Sequence, residues 1–206
     1  MSTGRLYLVR HGRTAGNQVR YVGWGDDPLD ETGREQVRAL TADLAAEPID
    51  VVYASPLRRA VDTARPLAET HAAPLHLRDG LKEIDYGAYQ DVLKAERKLR
   101  LRRNHRVERM PGGESLRDVF DRVAVVRAEV EAGLEAGRHV AVVAHFWSLR
   151  MLAGQVDGLS FDEVLDDGAM AAAMGAAGRE RALTFSWDRS AERLEAVYDA
   201  ALAGRA

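Results

Sequence analysis

The sequence contains no cysteine, and this absence excludes several kinds of chemistry. Without thiols the chain can form no disulfide, no thiolate metal site and no cysteine nucleophile. A chain without disulfides suits the reducing cytosol, so we expect a cytoplasmic protein. The N-terminal residues lack the apolar core of a signal peptide, and no apolar run approaches the ~18–20 residues needed to cross a bilayer. We therefore expect neither export nor a membrane partner.

The sequence also lacks an excess of charge of one sign. Its net charge is −3, with 30% of the residues charged. This balance is typical of a soluble protein and gives no global attraction to nucleic acid or to a membrane surface. The 206 residues can build one sizeable core, and neither a repeat nor a linker interrupts them. We predict a single domain over residues 1–206.

Short apolar segments alternate with helical patterns, which predicts an α/β protein. The predicted strands cover residues 5–9, 49–54, 75–77, 138–144, 181–187 and 194–198. The predicted helices cover residues 31–47, 55–71, 91–103, 114–136 and 146–156, with a short one near 160–163. Because continuous apolar strands suit a sheet covered on both faces, we expect a three-layer sandwich with a mostly parallel central sheet.

Three of the predicted strands end in residues that suit an anion site. The first ends in Arg10 and His11, and the fourth ends at His145. The second runs into Ser55-Pro56, which we interpret as a helix start, with Arg58 and Arg59 in the first turn. Ligands of open α/β sheets bind beyond the carboxyl ends of the strands, and guanidinium groups match phosphate oxygens. The alternative is that these residues are solitary surface arginines and core histidines.

A phosphate site becomes a catalyst when it holds a nucleophile and a proton donor. A neutral imidazole can attack phosphorus, and His11 is followed by Gly12, which permits a close backbone approach. A leaving oxygen needs a proton, which a buried carboxylic acid can supply. Glu83, in LKEIDYG, is the candidate acid, although its surroundings in the sequence fit a surface carboxylate as well.

Several motifs, in this order, resemble those of the histidine phosphatase superfamily, which is also called phosphoglycerate-mutase-like. They are LVRHGRT, YVGWGDDPLDETGREQ, ASPLRRAVDTA, LKEIDYG, PGGESLRDVFDRV and VVAHFWSLR. The resemblance covers most of the chain and is closest to the small phosphatases of the family. It implies the α/β fold of that family.

The resemblance also implies roles for individual residues. His11 would be the residue that becomes phosphorylated, and Glu83 the general acid and base. Arg10, Arg59 and His145 would bind the phosphoryl oxygens, which makes Arg59 rather than Arg58 the second phosphate arginine. No metal and no cofactor is implied. Candidate residues for binding the rest of the substrate are Asn17, Gly23, Arg58, Arg102 and Arg103.

A basic, lid-like insertion is expected at about residues 91–112. Residues 94–109 carry eight Lys or Arg in sixteen positions. They could form a solvated basic helix without a role, or a lid that grips a second anionic group on the substrate. Arg102 and Arg103 resemble the paired arginines of the mutases but lie closer to Glu83 along the chain. The lack of interleaved aromatic residues argues against nucleic acid as the partner.

The sequence therefore predicts a metal-independent phosphatase acting on a small phosphorylated metabolite. Two alternatives stay open, a 2,3-bisphosphoglycerate-dependent phosphoglycerate mutase and a catalytically silent protein that binds phosphometabolites. The mutases of the family are usually longer, which favours the hydrolase. Apolar residues in the range 159–176 could form a homodimer interface.

Overall fold

A four-stranded parallel sheet forms the centre of the protein. The computed structural model describes residues 4–170. The strands are Leu6–Arg10 (β1), Val51–Ala54 (β2), Leu75–Leu77 (β3) and Val140–Ala144 (β4), in the spatial order β1-β4-β2-β3. All three pairings are parallel, so the carboxyl ends of the strands meet at one edge of the sheet.

Helices connect the strands. They are Ala15–Val19 (α1), Glu31–Leu44 (α2), Arg58–Thr70 (α3), Leu101–Asn104 (α4), Leu116–Glu135 (α5), Phe146–Val156 (α6) and Phe161–Leu165 (α7). Two short 3₁₀ turns, Asp79–Leu81 and Gly87–Tyr89, flank the loop that carries Glu83. Within residues 4–170 no helix is both long and apolar enough to cross a membrane.

The two faces of the sheet are covered by different helices. Side chains alternate along each strand, and Tyr53 and Val142 belong to a large core with residues of α5 and α6. On the other face α3 contacts β2 and β4 and buries Ala60, Ala64 and Leu67. Every residue of β2 and β4 is buried, as continuous apolar strands require. The predicted α/β class with a parallel central sheet between helical layers is confirmed.

Two further predicted strands cannot be compared with the structure. The segments 181–187 and 194–198 lie outside the described residues. The single domain over residues 1–206 therefore stays a prediction.

The predicted helix over residues 91–103 is wrong for most of its length. Only Leu101–Asn104 is helical, and residues 91–94 instead pair with residues 19–21, where Arg20 and Leu93 form an antiparallel bridge. The backbone N–H of Asp91 donates to Tyr21 O, and that of Lys94 donates to Val19 O. A helix here would also be destabilised by charge repulsion, because Lys94, Arg97 and Lys98 would lie three and four residues apart on one face.

The start of α3 also differs from the prediction. The helix begins at Arg58, not at Ser55-Pro56, and its N-cap residue Leu57 makes no side-chain capping bond. The Ser55 hydroxyl accepts a hydrogen bond from the backbone N–H of Leu57 (3.3 Å) and also contacts the ring of His145. Ser55 therefore lies at the end of β2, at the same sheet edge as β1 and β4.

Candidate active site

The imidazole of His11 is held in one orientation at the end of β1. Its backbone N–H donates to Ala144 O (3.0 Å), which ties it to the end of the neighbouring β4. Its Nδ1 lies 2.7 Å from Gly12 O, so Nδ1 carries a proton for that carbonyl. The Asn17 side-chain amide donates to Nε2 at 3.2 Å. Both contacts agree on a neutral ring whose Nε2 is unprotonated and accepts the hydrogen bond of Asn17 with its electron pair.

The surroundings of His11 keep it neutral. Burial, and then the positive charge of Arg59, lower its pKa from 6.5 to about 3. The residue is 8% exposed. An uncharged imidazole at neutral pH is competent as a nucleophile.

Gly12 lets the backbone around His11 pack closely. A Cβ at Gly12 would lie 2.8 Å from Gly33 O. The Gly12 N–H donates to the Thr63 hydroxyl (3.0 Å), which in turn donates to Arg59 O (2.8 Å). Thr63 therefore joins the backbone beside His11 to the first turns of α3.

Two buried side-chain nitrogens in this cluster have no hydrogen-bond partner within residues 4–170. Arg59 is 1% exposed, and its two Nη groups donate to Gly25 O (2.9 Å) and Gly23 O (2.6 Å). Its Nε has no partner among the described residues, and neither has Nδ1 of His145. The rings of His11 and His145 lie 4.9 Å apart between centroids. A group that only accepts hydrogen bonds, such as a phosphoryl group, fits such a set.

His145 is fully buried at the end of β4. Burial lowers its pKa well below 6.5, and His11 and Arg59 lower it further. Its backbone N–H donates to the Ser148 hydroxyl at 3.2 Å, which fixes the first turn of α6.

Of the two carboxylate oxygens of Glu83, Oε1 is held by hydrogen bonds and Oε2 is not. Its Oε1 accepts the backbone N–H of Ile84 (2.9 Å) and that of Trp147 (3.2 Å), in the first turn of α6. Burial raises the pKa of Glu83, against the opposing effect of these N–H groups and of Arg10. Oε1 is occupied as an acceptor, so Oε2 is the oxygen suited to carry and deliver a proton.

The loop that carries Glu83 is held by its backbone. Arg122 donates to Gly80 O (2.7 Å) and to Glu83 O (2.9 Å) and forms a half-buried ion pair with Glu114 at 2.8 Å. Glu114 Oε2 accepts the backbone N–H of Asp85 (3.0 Å). The indole N–H of Trp24 also donates to Glu83 O, at 2.6 Å. These contacts hold the backbone of Glu83 in place, and with it the origin of its side chain.

Arg10 is the exposed member of the cluster. Its guanidinium donates no hydrogen bond to any residue in the range 4–170, while its charge acts on His11, Glu83 and His145. A cation without a partner beside a nucleophile is available to a substrate anion.

The other candidate substrate residues divide into two groups. Asn17 contacts His11 directly, and Gly23 contributes its carbonyl to Arg59 from a left-handed conformation, with φ +52°. Arg58 is exposed and forms loose ion pairs with Asp26 (3.9 Å) and Asp62 (3.6 Å) instead of joining the buried cluster.

Arg102 and Arg103 do not reach the cluster either. Arg102 pairs with Asp167 at 2.6 Å and lies over the ring of Trp147, 5.8 Å from its centroid. Arg103 is exposed at the end of α4. From the basic segment 94–109, Lys94 lies next to the cluster. Its Nζ donates to Asn17 O at 2.5 Å. Partial burial and the charge of Arg10 lower the pKa of Lys94.

Sequence reasoning missed three contributors to the site. They are the Ser55 hydroxyl on His145, the backbone N–H of Trp147 on Glu83, and the Arg122–Glu114 pair. Ser55 and Glu114 lie inside motifs that carried the resemblance, so their position gave a signal. The N–H of Trp147 is a backbone group that every residue except proline has, so the sequence carries no signal for it.

Comparison with known proteins decides the family. The model of the histidine phosphatase superfamily (branch 1) matches residues 6–174. The chain belongs to this superfamily. It is 35% identical over 171 residues to the 2,3-bisphosphoglycerate-dependent phosphoglycerate mutase 2 of Gloeobacter violaceus, covering 77% of this chain and 78% of the relative. It is also 35% identical over 161 residues to phosphoserine phosphatase 1 of Hydrogenobacter thermophilus, covering 72% and 74%.

Solved structures of the superfamily share the fold. A mycobacterial glucosyl-3-phosphoglycerate phosphatase superposes with a TM-score of 0.67 at 30% identity, over 79% of this chain and 84% of that one. The chain spans 43% of the length of another relative, a bifunctional protein of Mycobacterium tuberculosis. Both phosphatases and a mutase are therefore among the relatives of this chain.

Proposed function

We propose that the protein is a metal-independent phosphatase that hydrolyses phosphate monoesters of small metabolites through a phosphohistidine at His11. The observation that carries the proposal is the pair of buried nitrogens without a hydrogen-bond partner, Arg59 Nε and His145 Nδ1, beside a neutral imidazole. The Arg59 Nε–H, and Nδ1 of His145 in its protonated form, suit phosphoryl oxygens, and the electron pair on the unprotonated Nε2 of His11 suits the phosphorus.

In the first step His11 Nε2 attacks the phosphorus and the ester P–O bond breaks. The leaving oxygen takes the proton of Glu83 Oε2. The ring of His11 becomes positively charged, which strengthens its Nδ1–H hydrogen bond to Gly12 O. Arg10, Arg59 and His145 stabilise the charge on the three equatorial oxygens, the electrostatic contribution that dominates phosphoryl transfer.

In the second step water attacks the phosphohistidine and the P–N bond breaks. The Glu83 carboxylate takes a proton from that water, and inorganic phosphate leaves. Glu83 is then protonated again and His11 neutral, so the cycle closes without a metal or another cofactor.

The substrate is proposed to carry a second anionic group. Support comes from Lys94, which lies beside Asn17 and Arg10 and whose pKa is lowered by partial burial and by Arg10. An anion next to the ammonium would relieve that repulsion. Arg10 and Lys94 thus offer positive charge at the edge of the cluster, where a phosphorylated acid or sugar phosphate fits better than a neutral alcohol ester.

The mutase is the second candidate function, because the relative from Gloeobacter violaceus is a mutase. A mutase returns the phosphoryl group of His11 to its substrate and releases no phosphate. The two activities therefore differ in product and not in the first step.

A panel of phosphate monoesters tests the proposal. The purified protein is assayed with a chelator present, and 3-phosphoglycerate is included with and without 2,3-bisphosphoglycerate, with the products identified. Phosphate release that survives the chelator supports the hydrolase. Interconversion of phosphoglycerates without phosphate release establishes the mutase, and activity abolished by the chelator contradicts the metal-free cycle. No turnover on any ester favours the silent binding protein.

A further inference from the structure

The side chain of Ser55 is hydrogen-bonded to the ring of His145 and, within residues 4–170, to no other candidate catalytic residue. Its Oγ lies 2.8 Å from Nε2 of His145, and both residues are 0% exposed. The contact joins the end of β2 to the end of β4, 90 residues apart in sequence. Within residues 4–170 it is the one hydrogen bond of this ring: the backbone N–H of Ser148 faces the ring from the first turn of α6, but it forms no capping hydrogen bond and Nδ1 has no partner.

The direction of this hydrogen bond follows from the other bond that Ser55 makes. The backbone N–H of Leu57 donates to Ser55 Oγ at 3.3 Å, which occupies one electron pair of the hydroxyl. A serine hydroxyl has one proton to donate and two electron pairs to accept with. The proton of Ser55 has one acceptor within the described residues, and that acceptor is Nε2 of His145.

Counting unsatisfied groups separates the two neutral tautomers of His145. With the proton on Nδ1, Ser55 donates to Nε2 and the Nδ1–H is the single group without a partner. With the proton on Nε2, that N–H would donate to Ser55, and both the serine proton and the Nδ1 electron pair would lack partners. An unsatisfied buried polar group costs ~1–3 kcal/mol, so the first arrangement is favoured.

We infer that Ser55 is a positioning residue that fixes His145 as the Nδ1–H tautomer and so turns its free nitrogen into a donor for a phosphoryl oxygen. The ring is neutral before substrate binds, because burial lowers its pKa well below 6.5. A neutral ring with the other tautomer would present an electron pair to the phosphoryl oxygens and repel them. The choice of tautomer therefore decides whether His145 attracts or repels the substrate.

This inference deepens the proposed function and rests on it for the meaning of the donor, but the tautomer can be measured without turnover. In protein labelled with ¹⁵N-histidine, long-range ¹⁵N–¹H correlation spectra separate a protonated ring nitrogen from an unprotonated one. His145→Gln identifies the His145 signals by their loss. We expect Nδ1 of His145 to be protonated and Nε2 unprotonated at neutral pH in the ligand-free wild type.

Two serine variants test the part played by Ser55. Ser55→Ala removes the donor to Nε2, and its spectrum should show a mixed or reversed tautomer. Ser148→Ala is the matched control, because it removes another fully buried hydroxyl that contacts the backbone of His145 and not its ring. The control should keep the wild-type tautomer. Inorganic phosphate should bind Ser55→Ala about tenfold more weakly than Ser148→Ala, since one charge-assisted hydrogen bond is lost.

The outcomes separate this inference from the proposed function. A wild-type His145 protonated on Nε2, or on both nitrogens, overturns the inference whatever the enzyme hydrolyses. A wild-type Nδ1–H tautomer that persists in Ser55→Ala removes the role of Ser55. Absence of phosphatase activity contradicts the proposed function alone. The wild-type spectrum decides the tautomer even if Ser55→Ala does not fold.

Discussion

The rings of His11 and His145 lie 4.9 Å apart between centroids, each at the end of one of two neighbouring parallel strands. Strand pairing produces this relationship, because Arg10 is aligned with Ala144 and each histidine is the next residue. Both rings are neutral, since burial lowers both pKa values. One ring can then offer an electron pair and the other a proton to the same phosphoryl group.

The carboxyl of Glu83 is predicted to act on the leaving group. Replacing it by Gln should slow alkyl phosphates by about 10²–10⁴-fold, the usual contribution of a general acid. Aryl phosphates leave without a proton and should be slowed far less. Steady-state rates with both classes of ester measure this, and equal slowing of both would place the acid elsewhere.

The same carboxyl predicts the pH dependence of the first step. Burial raises the pKa of Glu83, and the group must be protonated to act as an acid. The rate with alkyl phosphates should therefore fall as pH rises through that raised pKa, and the fall should be absent in Glu83→Gln. His11 is neutral above its pKa of about 3, so its titration should add no step near pH 6.5. A histidine-like step there that disappears in a His11 variant would contradict this account.

Lys94 is predicted to recognise a second anionic group. Lys94→Met should raise KM about tenfold for substrates with a second anion, since a charge-assisted hydrogen bond is lost, and should change KM little for substrates without one. Lys98→Met is the control, because Lys98 is exposed in the same segment and forms no hydrogen bond or ion pair in the described part of the chain. Similar KM changes in both variants would mean that the segment acts only through its overall charge.

The Arg122–Glu114 pair is predicted to stabilise the loop of Glu83. Arg122→Met leaves Glu114 half-buried and unpaired and removes the donors to Gly80 O and Glu83 O, so the free energy of unfolding should fall by about 2–3 kcal/mol. Arg38→Met, which breaks an exposed ion pair with Glu31, should cost less than about 0.5 kcal/mol. Urea unfolding of both variants measures the difference, and comparable losses would show that the Glu83 loop does not depend on Arg122.

Much of the fold follows from local sequence, whereas the site depends on long-range contacts. The apolar segments of β1, β2 and β4 predict buried strands, and their order at one edge predicts the meeting of His11 and His145. Glu83 is different, because the N–H of Trp147 that fixes it lies 64 residues further along the chain. The helix over residues 91–103 was predicted wrongly, because the composition of this segment favours a helix while its backbone forms hydrogen bonds to Val19 and Tyr21 instead.

The central claim is that His11 is phosphorylated during turnover, and trapping that intermediate tests it most directly. The protein is mixed with a ³²P-labelled monoester that it hydrolyses, quenched in alkali and digested, and the label is located by mass spectrometry. We predict an alkali-stable, acid-labile phosphoryl group on His11, and neither label nor turnover in His11→Ala. Phosphate release without label on His11, or turnover that persists in His11→Ala, would contradict the account.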